Sequence, residues 1–266
     1  MKAINQIELR TLQKDILSAV DKFCSDNKIN YSLAAGTLIG AVRHGGFIPW
    51  DDDIDIYMLR KDYDLFERLF PEYYKDNYKI WSFHRSNDCY IPFAKVYDNR
   101  TLIKERGSKS KTPGVFIDIF PVDEVPDEEK EWKQFNKKRL RKTHHIFRLQ
   151  LKTSSDYSFK KNIGILLYKS FFFFSSPKKL VPKFINYIKH NNGQGFHRVF
   201  ENSMGFYGGP FEKSIFEEFI DIAFEDRKYK CFKNYHEYLS KVYGDYMTPP
   251  PPEKQVSNHS FDAYWI

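Results

Sequence analysis

Four of the five positions from 51 to 55 are aspartates: Asp51, Asp52, Asp53 and Asp55, in the stretch "PWDDDIDIYM". Carboxylates this close repel one another, and a fold tolerates them only where cations or solvent relieve the repulsion. The residues that follow alternate apolar and polar, the pattern of a strand, so Asp53 and Asp55 share one face while Ile54 and Ile56 point into a core. Two parallel carboxylates make a hard-oxygen site suited to Mg²⁺, with Mn²⁺ as the alternative. A pair of such ions can clamp the attacking and leaving oxygens of a phosphoryl group. Asp118 in "VFIDIF" is the candidate third carboxylate, because an aspartate inside a run of Val, Phe and Ile must be satisfied by something. On the residues alone it serves equally as a core aspartate capping backbone amides near a turn at Pro121.

Other acidic and glycine-rich motifs fit less well. Asp51, Asp53 and Asp55 match the first ligand positions of a calcium loop, but Ile56 stands where glycine is required and Asp62 where glutamate is expected. Neither GxxxxGK[ST] nor GxGxxG occurs. What stands upstream is "AAGTLIGAVRHGG", in which a small-residue turn at Ala35, Gly36 and Thr37 opens a short helix from Leu38 to about Arg43. Such a turn directs free backbone N–H groups and a hydroxyl outward, toward phosphate oxygens. A phosphate-grasping turn, a helix and a DxD strand, in that order, form the pattern of a nucleotidyltransferase fold.

The elements that must position these groups are legible as periodicities. Ile7, Leu9, Leu12, Ile16, Leu17, Val20 and Phe23 predict an amphipathic helix through about Cys24, followed by a strand at Tyr31 to Ala34. The aspartate strand ends near Met58, and a helical pattern runs from Lys61 to Phe70. "YKIWSF", "YIPFAKVYD" and "TLIKER" read as successive strands, and "GVFIDIFPVDEVP" as a strand entering a Pro-marked turn. The expected class is α+β: a nucleotidyltransferase-type mixed sheet core over residues 1–127, then a mostly helical, basic region over 128–266 whose polar tail closes on the core.

Composition bounds the rest. Of 266 residues 41% are hydrophobic and 18% aromatic, enough for a packed core. Three cysteines, widely spaced and without CxxC, suggest neither a disulfide framework nor zinc, and fit a reducing compartment. The first residues lack the apolar run of a secretory signal, and "IGILLYKSFFFF" falls short of the roughly 20 residues needed to span a bilayer. A cytoplasmic protein is expected. The net charge of +7 is regional: Lys130 to Lys189 carries 16 Lys and Arg against 2 Asp and Glu. No base-reading motif accompanies these cations, so no nucleic acid is expected. "KKNIGILLYKSFFFF" and "PKKLVPKFINYIKH" instead read as basic amphipathic helices lying on an anionic membrane surface, at the inner face of the cell membrane.

The stretch "AAGTLIGAVRHGGFIPWDDDIDIYM" resembles the signature of the LicD family, whose members transfer phosphocholine or similar groups to glycans and which belongs with the DNA-polymerase-β-like nucleotidyltransferases. "KVYDNRTLIKE", "FIDIFPVDEVP" and "YGDYMTPPPPEKQVSNHS" extend the resemblance to about half of the chain. It implies that Asp53, Asp55 and Asp118 hold Mg²⁺ and carry catalysis, and that Gly36 and Thr37 contact the phosphates of a CDP-linked donor. Arg43 and His44, between the two motifs, become candidates for the pyrophosphate, with a loop-anchoring pair between Arg43 and Asp51 or Asp52 the other role open to that cation. Lys95 and Arg106, on flanking strands, are candidate phosphate contacts, and His259 a contact to the acceptor. Trp50, Trp81 and Tyr90 are aromatic candidates for caging a trimethylammonium group.

The activity so implied is transfer of phosphocholine from CDP-choline to a hydroxyl of a cell-surface glycan, such as lipopolysaccharide, teichoic acid or capsule, with CMP leaving. Transfer of phosphoglycerol from a CDP-linked donor needs the same metals. A nucleotidyltransferase adding NMP would release pyrophosphate instead. A non-enzymatic polyanion-binding protein on the same scaffold would have no use for the three carboxylates.

Overall fold

The computed structural model describes residues 1–74, 76–105, 112–154, 157–204, 209–256 and 261–266. In chain order its elements are β1 (Lys2–Ala3), α1 (Gln6–Asn27), β2 (Ser32–Leu33), α2 (Ala35–His44), β3 (Asp55–Leu59), α3 (Arg60–Tyr73), β4 (Tyr78–Trp81), β5 (Ala94–Asp98), β6 (Thr101–Glu105) and β7 (Phe116–Val125). There follow α4 (Glu129–Gln150), α5 (Phe159–Phe171), α6 (Pro177–Lys189), β8 (Arg198–Glu201), β9 (Phe211–Glu212), β10 (Phe219–Phe224), β11 (Arg227–Phe232), α7 (Tyr235–Tyr243) and β12 (Phe261–Trp265). The α+β class expected from the pattern is the class observed.

The main sheet runs β2-β3-β7-β5-β4, with β8 on β7 and β9 on β8. Among the described residues of this sheet, only the β3–β7 pair is parallel. All ten residues of β7 are buried, as its place in the middle of the sheet requires. One of its edges pairs with β3; the other pairs first with β5 and then with β8.

Pro121 does not end this strand. The amide of Asp118 donates to Ile54 O at 2.8 Å, so by alternation the position of Pro121 faces the opposite edge. There the partner changes between Ile119, opposite Ala94, and Val122, opposite Glu201. A residue with no N–H costs no ladder bond at such a changeover.

α1 covers the sheet with a stripe of Leu9, Leu12, Ile16, Leu17, Val20 and Phe23 and begins in a capping box between Asn5 and Glu8. The helical stretch expected after residue 127 extends only to Lys189. Strands then return, and β12 pairs with both β6 and β1. A single core cluster takes residues from Leu9 to Ala263, while α6 and Ile146 of α4 enclose a smaller one around Val181, Phe184, Ile185 and Ile188.

Candidate active site

The carboxylates are assembled by strand register. Asp55 stands directly opposite Asp118 on the parallel neighbour, Asp118 opposite Lys95, and Lys95 opposite Trp81. Paired residues share a face, so these four form one row across four strands. Asp53, two positions before Asp55, closes the group: oxygens of Asp53, Asp55 and Asp118 lie within 4.8 Å of one another. Asp51, Asp52 and Asp53 make a second such group.

Burial and mutual charge shape the acidity here. Asp55 is pushed well above the usual carboxylate range, first by burial and then by the charges of Asp53, Asp118 and Asp51, against which Lys95 pulls in the opposite direction. The Lys95 ammonium is 2.7 Å from Asp118 Oδ1 and 3.4 Å from the centre of the Phe116 ring. By distance this is an ion pair; its approach lies outside hydrogen-bonding geometry, and Oδ1 is buried with no hydrogen-bond partner. A buried carboxylate oxygen with an unused lone pair, beside two further carboxylates, is the donor set a hard divalent cation takes.

α2 supports the row from behind. Thr37, buried in its first turn, accepts the Asp55 N–H on its hydroxyl at 2.8 Å, and the Ala34 amide donates to Asp55 O at 3.0 Å. Gly36, beside it, leaves room for Asp51: a β-carbon there would meet Asp51 Oδ2 at 2.5 Å. Ala35 adopts φ +45°, in the left-handed region that strains any residue but glycine, and its N–H donates to the Tyr238 hydroxyl at 3.3 Å. The expected turn at 35–37 is therefore already the first turn of the helix.

Two residues that the motifs did not single out hold the aspartate loop. Arg10 of α1 donates to the carbonyls of Ile48, Pro49 and Asp51 at 3.1, 2.9 and 2.9 Å. Gln13 donates to Asp52 O at 2.7 Å. The sequence carried a signal for Gln13, a polar residue at a buried position in the apolar stripe between Leu12 and Ile16.

The remaining expected residues fall at different distances from the row. Arg43 and His44 end α2, whose ten residues span about 15 Å. Arg43 donates to His44 Nε2 at 2.9 Å and to Tyr246 O at 2.7 Å, and the His44 ring meets Trp50 edge-on at 6.3 Å. Arg106 and His259 lie outside the described residues. Of the aromatic candidates, Trp81 ends the row and donates its indole N–H to Asp88 at 3.2 Å. Tyr90 packs instead against the small cluster beneath α6.

An aromatic cavity does adjoin the carboxylates, built from other residues. Continuing along the face of Asp55 and Asp118, the next row is Tyr57 opposite Phe120, and the next Leu59, Val122 and Glu201. Above it stand Tyr238 and Tyr243 of α7 and Phe211 of β9. The Tyr238 ring lies 5.9 Å from Tyr57 and 5.2 Å from Phe211.

A mixed sheet whose parallel central pair gathers three carboxylates beside a helix opening on glycine is the arrangement of nucleotidyltransferase-type domains. The family model described as LicD/FKTN/FKRP, nucleotidyltransferase domain, matches residues 28–160, and the chain belongs to this family. It is 34% identical over 272 residues to the lipopolysaccharide cholinephosphotransferase LicD of Haemophilus influenzae, a match covering 98% of this chain and 99% of that protein. An uncharacterised protein of Rickettsia typhi is 39% identical over 118 residues, which is 44% of this chain and 35% of that one.

Proposed function

We propose that the protein transfers phosphocholine from CDP-choline to a hydroxyl of lipopolysaccharide or a related cell-surface glycan, with release of CMP. The convergence of Asp53, Asp55 and Asp118 on one face carries this reading, and the end-to-end similarity to a protein named as a lipopolysaccharide cholinephosphotransferase supports the choice of group and acceptor.

The three carboxylates would hold Mg²⁺, with Mn²⁺ the alternative. A cation held there would supply neutralisation of the charge on phosphoryl oxygens. The residues of the chain do the rest. Thr37 keeps Asp55 in line through its backbone amide. Gly36 opens α2 toward the donor diphosphate, which the helix N-terminus favours. Lys95 offers its ammonium to a phosphate oxygen from beside Asp118. The acceptor oxygen attacks the phosphorus bearing choline, the bond from that phosphorus to the CMP oxygen breaks, and the hydroxyl proton passes to a carboxylate of the cluster.

A membrane-surface location accompanies this activity in our reading. α5 and the turn after it expose Phe159 (79%), Leu166 (58%), Leu167 (66%), Phe171 (80%), Phe173 (78%) and Phe174 (95%) beside Lys160 and Lys161. Exposed apolar side chains framed by lysines suit an anionic leaflet, where a lipid-linked glycan would be met. No helix among the described residues is long and apolar enough to cross a membrane.

The test is the leaving product. Incubated with CDP-choline, Mg²⁺ and an acceptor glycan, the protein should release CMP and label the glycan. Release of CMP only from CDP-glycerol, or of pyrophosphate from CTP, would replace this function with one of its rivals.

A further inference from the structure

The loop that leads to the aspartates is gripped by a turn far along the chain. Glu225 and Asp226 join β10 to β11, with Phe224 paired to Arg227 across the turn. The Glu225 amide donates to Gly45 O at 2.7 Å, and its carboxylate Oε1 accepts the Phe47 N–H at 3.1 Å. The same oxygen rests against Gly46, 2.2 Å from where a β-carbon on that residue would stand. Lys14 of α1 pairs with the turn as well, 3.0 Å from Asp226 and 3.9 Å from Glu225.

Glu225 holds its place at a conformational cost. Its φ is +58°, in the left-handed region where glycine or asparagine is the ordinary choice for a tight hairpin turn. A glutamate kept where glycine would be unstrained points to a use for its side chain. That use is the Phe47 amide, a bond that closes nothing within the hairpin itself.

We propose that Glu225 is a positioning residue of the metal site, fixing the start of the loop whose carboxylates take the divalent cation. This role rests on the reading of Asp53, Asp55 and Asp118 as ligands of that cation. It extends the site to a segment outside residues 28–160, the part matched by the family model. The route from Glu225 to the carboxylates is continuous. The Phe47 ring packs 5.0 Å from that of Phe224, and the Arg10 guanidinium lies over it, also at 5.0 Å. Arg10 in turn donates to the carbonyls of Ile48, Pro49 and Asp51, and Gln13 to that of Asp52. The segment also lies against α2, where Gly46 O is 2.3 Å from the position of the absent β-carbon of Gly40. Carboxylates that repel one another stay together only where the backbone carrying them is held. A loop released at Phe47 would have to be ordered by the cation as it binds, and affinity falls by that cost.

The experiment titrates the full chain with Mn²⁺ alone, read from the electron paramagnetic resonance of the free ion, and with Mg²⁺ alone, read by calorimetry. Tm and amide hydrogen exchange over residues 45–53 are measured on the same samples. Glu225→Gly removes the carboxylate but relieves the backbone, two effects that offset in stability, so Tm should stay within a few degrees of wild type. Kd for both ions should rise about tenfold, and exchange from Phe47 to Asp53 should quicken. Gly46→Ala should do the same, by driving the carboxylate off the Phe47 amide while Glu225 itself is unchanged. Glu225→Gln, whose amide oxygen still accepts that N–H, should bind both ions as wild type does. Wild-type affinity in Glu225→Gly and Gly46→Ala would overturn the assignment and leave the three carboxylates standing as the cation's site. A wild type that binds neither ion would overturn the metal reading itself, and the positioning role with it. Loss of Tm and of ion binding in step, unrescued by Glu225→Gln, would reduce Glu225 to a part of the fold and refute the role given to it.

Discussion

The carboxylate of Asp51 rests where a side chain on Gly36 would have to be, 2.5 Å from the position of its absent β-carbon. The contact is with the end of a side chain rather than with backbone, so the fold can yield while the site is disturbed. Gly36→Ala should lower Tm by only a few degrees, about 1 kcal/mol or less. It should cut kcat/KM for the donor by about tenfold or more, because Asp51 is displaced across the N-terminus of α2. Melting curves and initial rates on the same preparation separate the two effects.

Three carboxylates within 4.8 Å, two of them buried, make the metal-free site costly to hold. Asp55→Asn should therefore raise Tm in chelator by a few degrees while reducing turnover by about 10³-fold. Wild-type protein should gain stability as Mg²⁺ is added, and the variant should not. Differential scanning calorimetry across a Mg²⁺ series reads both.

Burial lifts the Glu201 carboxyl to about 6, against hydrogen bonds from Ser203 and Met204 and the charge of Arg139, which act the other way. The folded protein thus takes up this proton before the unfolded chain does, whose value is near 4.5. The stabilisation is complete below about 4.5 and is lost as pH rises through 6. Without ligand, Glu201→Gln should be more stable than wild type at pH 7.5 by on the order of 2 kcal/mol, and the difference should vanish near pH 4. Urea titrations at the two pH values would measure it.

Arg60 and Asp123 form a two-pronged pair at 2.7 and 2.9 Å between α3 and β7, with Asp123 fully buried and further held by Asn192 at 2.7 Å. Arg60→Ala leaves Asp123 without its counter-charge and should cost about 3–5 kcal/mol. Lys22→Ala, which opens the exposed pair with Asp26, should leave the denaturation midpoint essentially unchanged. Chemical denaturation of the two variants gives the contrast.

Phe171 and Phe174 are 80% and 95% exposed, so their replacement by serine should leave Tm unchanged. It should weaken sedimentation with phosphatidylglycerol vesicles by about tenfold or more, since each phenyl ring contributes roughly 1.5–3 kcal/mol when buried. Equal binding of variant and wild type would remove α5 from the membrane contact.

Short-range patterns carried far in the sequence. Alternation around Ile54 and Ile56 placed Asp53 and Asp55 on one face, and the apolar setting of Asp118 marked it as a residue needing a partner. What escaped was set by contacts between distant segments. Pro121 reads locally as a turn, yet lies within a strand because β5 hands over to β8 at that point. The return to strands after Lys189 depends on pairing of Glu201 with Val122, for which "RVFE" offers little periodicity. Arg43 reads locally as a phosphate contact or a loop anchor, and its bond to Tyr246 O, far along the chain, is one that no local pattern announces. The aromatic cavity draws on Tyr57, Phe211 and Tyr238, which become neighbours only when three elements pack.

The parallel register of β3 and β7 also governs when the site comes into being. Asp55 and Asp118 meet only after the chain between them has made a long crossover, and such non-local pairing is slow because loop closure precedes its reward. The carboxylates are then expected to converge late in folding, with their repulsion opposing closure of the central pair. Divalent cations that accelerate refolding, and not merely raise Tm, would mark this closing step as the one that limits the rate.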